Sequence, residues 1–64
     1  MKVFIEKQNK KVKFVFEGTG TALIKKLKYN SEEVLVIKNG ELVSLDEKLT
    51  NKDTIKIISI ISGG

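Results

Sequence analysis

The chain has 64 residues, and its 12 basic residues, all of them lysine, against 8 acidic residues give a formal net charge of +4. It contains no histidine and no cysteine, which excludes the commonest general base, disulfides and thiolate metal ligands. A single domain of this size folds around one small core. A stand-alone enzyme with an enclosed active site is therefore disfavoured.

The positive charge is concentrated in the first half of the chain. Residues 1–32 hold eight lysines against three acids, and residues 33–64 hold four lysines against five acids, so the two halves carry +5 and −1. A basic half can indicate nucleic-acid binding. Without arginine, however, the chain lacks the bidentate donor that suits phosphate and guanine. We expect a solvated, lysine-rich surface that binds no nucleic acid.

The apolar segments are too short to cross a membrane. The longest nearly apolar run covers residues 57–61, whereas a spanning helix needs about 20 apolar residues. The N-terminal segment reaches a charged residue too early for a secretory signal. These features predict a cytoplasmic protein without membrane contact.

The first two segments, residues 2–7 and 11–17, alternate between apolar and polar side chains. This period of two is typical of half-buried strands. The inward-facing members are predicted to be Val3, Ile5, Val12, Phe14 and Phe16. Between the segments, the turn at residues 8–10 contains Asn9, a residue type that tolerates left-handed backbone. The sequence therefore predicts an N-terminal β-hairpin.

A short helix is predicted after the hairpin. Residues 18–21 break the alternation, and their threonine hydroxyls are suited to cap a helix. The apolar residues that follow fit one helical face and are Ala22, Leu23, Ile24 and Leu27. The lysines between and after them are predicted to face water, which gives an amphipathic helix of two to three turns. We expect the helix to end at residues 29–31, with Asn30 in the left-handed conformation.

A second hairpin is predicted in the second half of the chain. Residues 34–38 are rich in β-branched side chains, which favour a strand. Asn39-Gly40 follows, and this pair is the strongest short hairpin signal. The returning strand at residues 41–43 is short.

The chain then leads to one more strand. Residues 45–49 are predicted to form a single turn that inserts Leu45 and Leu49 into the core. A tight turn at residues 51–53 precedes a long last strand at residues 54–61. One helix covering one face of a mixed sheet is the simplest arrangement of these elements.

Four features spread along the chain resemble the ubiquitin-like β-grasp sulfur carriers, the ThiS/MoaD family. They are the N-terminal hairpin, the strand that closes in Asn39-Gly40, the turn at residues 51–53, and the pair Gly63-Gly64. In the family that turn is often Asp-Gly-Asp, so Lys52 departs from the pattern. The absence of an inserted loop between hairpin and helix is more similar to ThiS than to the longer MoaD.

The resemblance implies an α+β fold of the β-grasp type, with a mixed four- to five-stranded sheet and one helix packed across one face. It implies one domain at residues 1–61 and a flexible tail at residues 62–64 that carries the reactive carboxylate. The free carrier is expected to be a monomer.

The resemblance also implies the chemistry of the tail. An E1-like enzyme similar to ThiF or MoeB would adenylate the carboxylate of Gly64, and a sulfur donor would then displace AMP to leave a thiocarboxylate. Gly63 would help to thread the tail into the enzyme, because glycine has no Cβ. The chain has no Walker-type glycine loop, so ATP is expected to bind to the partner and the carrier itself to hold no cofactor. A synthase, such as a thiazole synthase, would accept the sulfur.

Strand parity predicts a docking surface for these partners. If Ile55 and Ile57 face the core, Ile58 and Ile60 face the other side of the sheet. If Leu35 and Ile37 also face the core, Val36 lies on the outer side. The predicted docking residues are Phe4, Val36, Ile58 and Ile60, because an exposed apolar patch of this kind marks a protein-binding surface.

Three alternatives stay open at this stage. The chain can be a sulfur carrier for thiamine thiazole synthesis, molybdopterin synthesis or tRNA thiolation. It can be a ubiquitin-like modifier that is conjugated to lysines, or a non-covalent β-grasp binding module. A free Gly63-Gly64 end favours the carrier over the binding module, since non-covalent binding does not require it.

Overall fold

The N-terminal hairpin pairs strand β1 (Lys2–Ile5) with strand β2 (Lys10–Lys13) in antiparallel register. The structure is a computed structural model, and it describes residues 1–60. A 3₁₀ turn at Glu6–Gln8 joins the strands, and Asn9 follows it with a φ of 49°. The predicted hairpin and its left-handed asparagine are thus confirmed.

Strand β2 ends at Lys13, whereas the alternation predicts a strand as far as Glu17. The backbone leaves the hairpin after Phe14, whose N–H still donates to the Met1 carbonyl at 3.1 Å. The N–H of Phe16 donates to the Asn51 side chain instead. Both phenylalanines nevertheless pack against the core, as their spacing predicts.

The helix α1 (Gly20–Lys26) begins directly after a two-residue strand, β3 (Gly18–Thr19). Its N-cap is Thr19, whose hydroxyl oxygen accepts a hydrogen bond from the Ala22 N–H at 3.2 Å. This bond satisfies one of the backbone donors that a helix leaves free at its start. The predicted threonine cap is confirmed.

The left-handed residue that ends the helix is Lys28, with a φ of 65°, and the prediction of Asn30 for this role is wrong. The Tyr29 N–H donates back to the Ile24 carbonyl at 3.0 Å, a bond that closes helices through one left-handed residue. Asn30 has a φ of −89° and caps the next 3₁₀ turn, Ser31–Glu33. Its side-chain oxygen accepts from the Glu32 N–H at 2.9 Å.

The second hairpin joins β4 (Val34–Lys38) to β5 (Glu41–Val43). Asn39 and Gly40 both have positive φ, 50° and 88°, as a type I′ turn requires. This hairpin is confirmed as predicted. A further short strand, β6 (Lys48–Leu49), pairs with β3 where the sequence predicts only a turn.

The last strand, β7 (Thr54–Ser59), lies at the centre of a five-stranded sheet with the order β2-β1-β7-β4-β5. It runs parallel to β1 and antiparallel to β4. The predicted end of this strand at residue 61 and the predicted tail at residues 62–64 lie outside the described residues. A mixed sheet with a single α-helix among residues 1–60 confirms the predicted α+β architecture.

The core lies between the helix and one face of the sheet. Its buried apolar residues are Met1, Val3, Ile5, Leu23, Ile24, Val34, Val36, Leu49, Ile55 and Ile57. The prediction that Val36 faces outward is therefore wrong, since only 1% of it is exposed. Val36 lies opposite Ile57 across β4 and β7, and residues directly opposite in a sheet share a face.

A hydrogen-bonded clasp connects the β4–β5 turn to the start of β7. The Asn39 amide donates to Asp53 at 2.9 Å, and its oxygen accepts from the Thr54 N–H at 2.9 Å. The second carboxylate oxygen of Asp53 accepts from the Thr50 N–H at 2.8 Å. Lys52 lies in the turn between Thr50 and Asp53 and has no positive φ. This turn therefore does not require the glycine of the Asp-Gly-Asp pattern.

Hydrogen bonding in this clasp lowers the pKa of Asp53 below its ordinary value of 3.8. The largest cause is the bond from the Thr50 backbone N–H, followed by the bond from the Asn39 amide, while burial acts in the opposite direction. A carboxylate whose folded-state pKa is lowered stabilises the fold at pH values above its unfolded-state pKa. That contribution is lost as the pH falls through the folded-state pKa.

We predict that Asp53→Asn lowers the free energy of unfolding by about 1–3 kcal/mol at pH 7, because an amide nitrogen would then face a buried donor. The difference in unfolding free energy between Asp53→Asn and wild type should shrink as the pH falls below 3.8, the ordinary pKa of the Asp53 carboxyl group.

Urea denaturation at neutral and at acid pH measures the destabilisation and its dependence on pH. The exposed Asp46→Asn serves as the control and should stay within about 0.5 kcal/mol of wild type. A penalty for Asp53→Asn that is the same at both pH values would contradict this role.

Candidate functional site

Among residues 1–60, the α-helix covers one face of the sheet, and no described element covers the other face, here called the outer face. The outward side chains follow from the strand registers around the buried residues Val3, Val36 and Ile57. They are Lys2 and Phe4 on β1, Lys11 and Lys13 on β2, Thr54, Lys56 and Ile58 on β7, Leu35 and Ile37 on β4, and Leu42 on β5.

One half of the outer face is apolar. Leu35 lies directly opposite Ile58, and Ile37 lies directly opposite Leu42. These four residues, with the neighbouring Ile60, are called the outer patch below. Leu42 is 63% exposed, Ile60 53% and Leu35 38%. Contiguous exposed apolar side chains of this kind are typical of protein-binding surfaces.

The outer patch lies beside the end of the chain that leads to Gly63 and Gly64. The Ile60 N–H donates to the Glu33 carbonyl at 2.9 Å, which continues the β4–β7 pairing one residue past β7. The predicted reactive residues Gly63 and Gly64 themselves lie outside the described residues.

Comparison with known proteins decides the family. The model of the ThiS family matches residues 4–64, which is almost the whole chain and includes Gly63 and Gly64. This chain belongs to the ThiS family. The resemblance to the ThiS/MoaD sulfur carriers is thereby confirmed.

A curated relative and two solved structures agree with this assignment. The chain is 33% identical over 42 residues to the sulfur carrier protein TtuB of Thermus thermophilus, an alignment that covers 66% of this chain and 65% of TtuB. The crystal structure of the thiamine biosynthesis protein ThiS from Geobacter metallireducens matches with a TM-score of 0.66 at 22% identity over the full length of both chains. A solution structure from the same organism matches with a TM-score of 0.62, also at 22% identity, over 100% of this chain and 88% of that one. The ubiquitin-like β-grasp fold is therefore confirmed.

The structure shows where the four predicted docking residues lie. Phe4 and Ile58 lie on the outer face and are half-buried, and Ile60 is exposed. Val36 belongs to the core, and its predicted place is taken by Leu35. Partner binding at Phe4, Ile58 and Ile60 stays a prediction.

Parity reasoning missed three members of the outer patch: Leu35, Ile37 and Leu42. A signal for the last two was present in the sequence. A two-residue turn at Asn39-Gly40 sets Ile37 directly opposite Leu42, so both must share a face. Leu35 lies two residues from Ile37 along the same strand and therefore joins them.

Within residues 1–60, no group of three or more histidine, cysteine, aspartate or glutamate side chains is arranged to hold a metal ion. An open groove of about 430 Å³ lies beside the outer patch, where its walls include Leu35, Leu42 and Ser44. In the same residues, no helix combines the length and apolarity needed to span a bilayer.

The two faces of β7 give a direct test of this geometry. We predict that Ile57→Lys lowers the free energy of unfolding by about 3 kcal/mol or more, because it buries an unpaired charge in the core. Ile58→Lys, one residue away on the half-buried outer face, should cost about 1 kcal/mol. Chemical denaturation of the two variants measures the contrast. The inner and outer faces would be exchanged if Ile58→Lys proved the more destabilising variant.

Proposed function

We propose that this ThiS-family protein is a sulfur carrier whose C-terminal carboxylate, at Gly64, is activated by adenylation and converted to a thiocarboxylate. The observation that carries the proposal is the family match, which runs through residue 64 and so includes the Gly63-Gly64 pair. The β-grasp domain and the similarity to TtuB, itself named a sulfur carrier, support it.

The proposed activation begins at the carboxylate of Gly64. An α-carboxyl group has an ordinary pKa of about 3.3–3.7 and is ionised at neutral pH. One of its oxygens would attack the α-phosphate of ATP, which releases pyrophosphate and leaves an acyl adenylate. A sulfur nucleophile would then attack the acyl carbon, and AMP would leave. ATP and the sulfur donor are proposed to be bound by partner enzymes.

The tail must enter the active site of an E1-like enzyme. Gly63 suits a narrow channel, because a residue without a Cβ gives the thinnest backbone and adapts to the widest range of φ. The acceptor that we propose for the sulfur is a synthase of the thiazole synthase class, in keeping with the ThiS family. In this scheme the protein is a co-substrate and not an enzyme.

Docking of the activating enzyme is proposed to use the outer patch. Its members Leu35, Leu42 and Ile60 are exposed large apolar residues, and Ile60 precedes residues 61–64 in the chain. Burying such side chains in an interface removes apolar area from water and stabilises the complex by roughly 25 cal/mol per Å². A patch at the base of the tail would also hold the carboxylate at a set distance from the docking surface.

We predict that deletion of Gly64 abolishes adenylation and leaves the melting temperature unchanged. The reactive carboxylate would then lie one residue short, and a displacement of about 1 Å can already cost about 100-fold in rate. Appending one alanine after Gly64 should have the same effect, because it converts the reactive carboxylate to an amide. Gly63→Val should reduce the rate less, through its branched side chain. ATP–pyrophosphate exchange with the cognate activating enzyme measures all three.

The control for these variants is a thermal melt, which shows that the domain is intact. Full exchange activity in the Gly64 deletion would defeat the carrier proposal. The chain would then be a non-covalent binding module with the same fold.

We predict that Ile58→Lys raises the KM for the carrier in the same exchange assay by about tenfold or more, because loss of a central apolar anchor weakens an interface. Val15→Lys is the matched control, since Val15 is 83% exposed and lies outside the outer patch. It introduces the same charge and should leave the KM within about twofold of wild type. Equal increases in KM for the two variants would place the docking surface elsewhere.

A further inference from the structure

The other half of the outer face is cationic. Lys2 on β1 lies directly opposite Lys13 on β2, and Lys11 lies directly opposite Phe4. All three lysines are exposed, whereas Phe4 is half-buried. This group of Lys2, Lys11 and Lys13 around Phe4 is called the lysine corner below. It lies on β1 and β2, on the opposite side of β7 from the outer-patch residues Leu35, Ile37 and Leu42.

The charges of the lysine corner are not neutralised by the described part of the chain. Within residues 1–60, no carboxylate lies within 4 Å of the amino group of Lys2, Lys11 or Lys13. The neighbouring Lys56 differs, since its amino group lies 3.5 Å from a carboxylate oxygen of Glu6. As far as residues 1–60 are concerned, the lysine corner therefore presents three uncompensated positive charges on one small area.

This arrangement opposes stability, because like charges directly opposite each other in a sheet repel. Lysines on an edge strand can be explained by protection against edge-to-edge aggregation, and this accounts for Lys11 and Lys13 on β2. It does not account for Lys2, whose strand β1 lies between β2 and β7. The repulsion between Lys2 and Lys13 thus lowers stability locally, and protection of the sheet edge does not explain it.

The lysine corner also has an apolar floor. An open groove of about 420 Å³ lies there, and its lining includes Phe4, Thr54 and the three lysines. The Lys56 amino group lies 5.9 Å from the centre of the Phe4 ring, on which it makes a cation–π contact. A ligand that fits would bring negative charge to the rim and an apolar group to the floor.

We propose that the lysine corner binds an acidic protein segment, with carboxylates placed between Lys2, Lys11 and Lys13 and an apolar side chain resting on Phe4. A protein segment fits better than a nucleic acid for two reasons. The chain has no arginine for bidentate phosphate contacts. Phe4 is also the one aromatic residue on the outer face, since Phe14, Phe16 and Tyr29 pack against the core, so there is no row of rings on which bases stack.

This surface is a further function, because it depends neither on Gly64 nor on the outer patch. The probe is a synthetic peptide of alternating glutamate and aspartate with one central leucine. Titration into isotope-labelled protein should shift the backbone amides of Lys2, Phe4, Lys11 and Lys13 in NMR spectra, and the affinity should fall as salt is added. The variant is Lys2→Gln with Lys13→Gln. The control is Lys25→Gln with Lys52→Gln, which removes the same charge from two exposed lysines elsewhere.

The Lys2/Lys13 variant should bind the peptide about three- to tenfold more weakly at about 0.15 M salt, while the Lys25/Lys52 control stays within about twofold of wild type. The melting temperature of the Lys2/Lys13 variant should be unchanged or higher, because the repulsion between the two lysines is removed. A purely structural role for the pair would lower it.

Three results would overturn the proposal. Equal weakening in the control pair would show that net charge alone attracts the peptide. Amide shifts confined to other parts of the protein would place the site elsewhere. Tighter binding of an oligouridylate RNA of the same charge, at the same salt concentration, would assign the surface to nucleic acid.

Discussion

The position of β7 at the centre of the sheet is the constraint on which the rest of the structure depends. It pairs with β1 on one side and with β4 on the other, so its alternation sets the inner and outer faces of three strands together. Ile57 lies directly opposite both Ile5 and Val36, and all three are buried. A shift of β7 by one residue would bring Lys56 into the core, and a shift of β1 by one residue would bring Lys2 there. The outer patch and the lysine corner follow from the same register.

The clasp of Asn39 and Asp53 protects that register where β7 begins. Asn39 bonds the backbone of Thr54 in both directions, with its N–H donating to the Thr54 carbonyl at 2.8 Å and its side chain accepting from the Thr54 N–H at 2.9 Å. Asp53 ties the same asparagine to the preceding turn. The turn residues of one hairpin thus fix the start of the central strand.

Local signals predicted most of the fold. The type I′ turn at Asn39-Gly40 and the cap at Thr19 are each determined by one or two residues with narrow conformational preferences, and both are confirmed. The alternation of Val12, Phe14 and Phe16 predicted their inward orientation, although the strand itself ends early. The family resemblance implies a mixed sheet with one helix across one face, whereas the strand order comes from the structure alone.

The errors occur where the choice depends on pairings and hydrogen bonds that the residue types alone do not specify. Residues 34–37 are all apolar, so they carry no alternation, and only the pairing of Val36 with Ile57 decides which of them are buried. Lys28 takes the left-handed conformation ahead of the more permissive Asn30, because the bond from Tyr29 to Ile24 closes the helix at that point. The lysine corner was not foreseen, since the opposition of Lys2 and Lys13 appears only once the hairpin register is known.

The central claim is that this ThiS-family chain carries sulfur on its C-terminal carboxylate. Intact mass spectrometry tests it most directly, on protein incubated with ATP, the cognate activating enzyme and a sulfur donor, with the Gly64 deletion treated in parallel. The account predicts that one terminal oxygen is replaced by sulfur in the full chain and that the deletion keeps its original mass. An unchanged full chain, or the same gain in mass in the deletion, would contradict it.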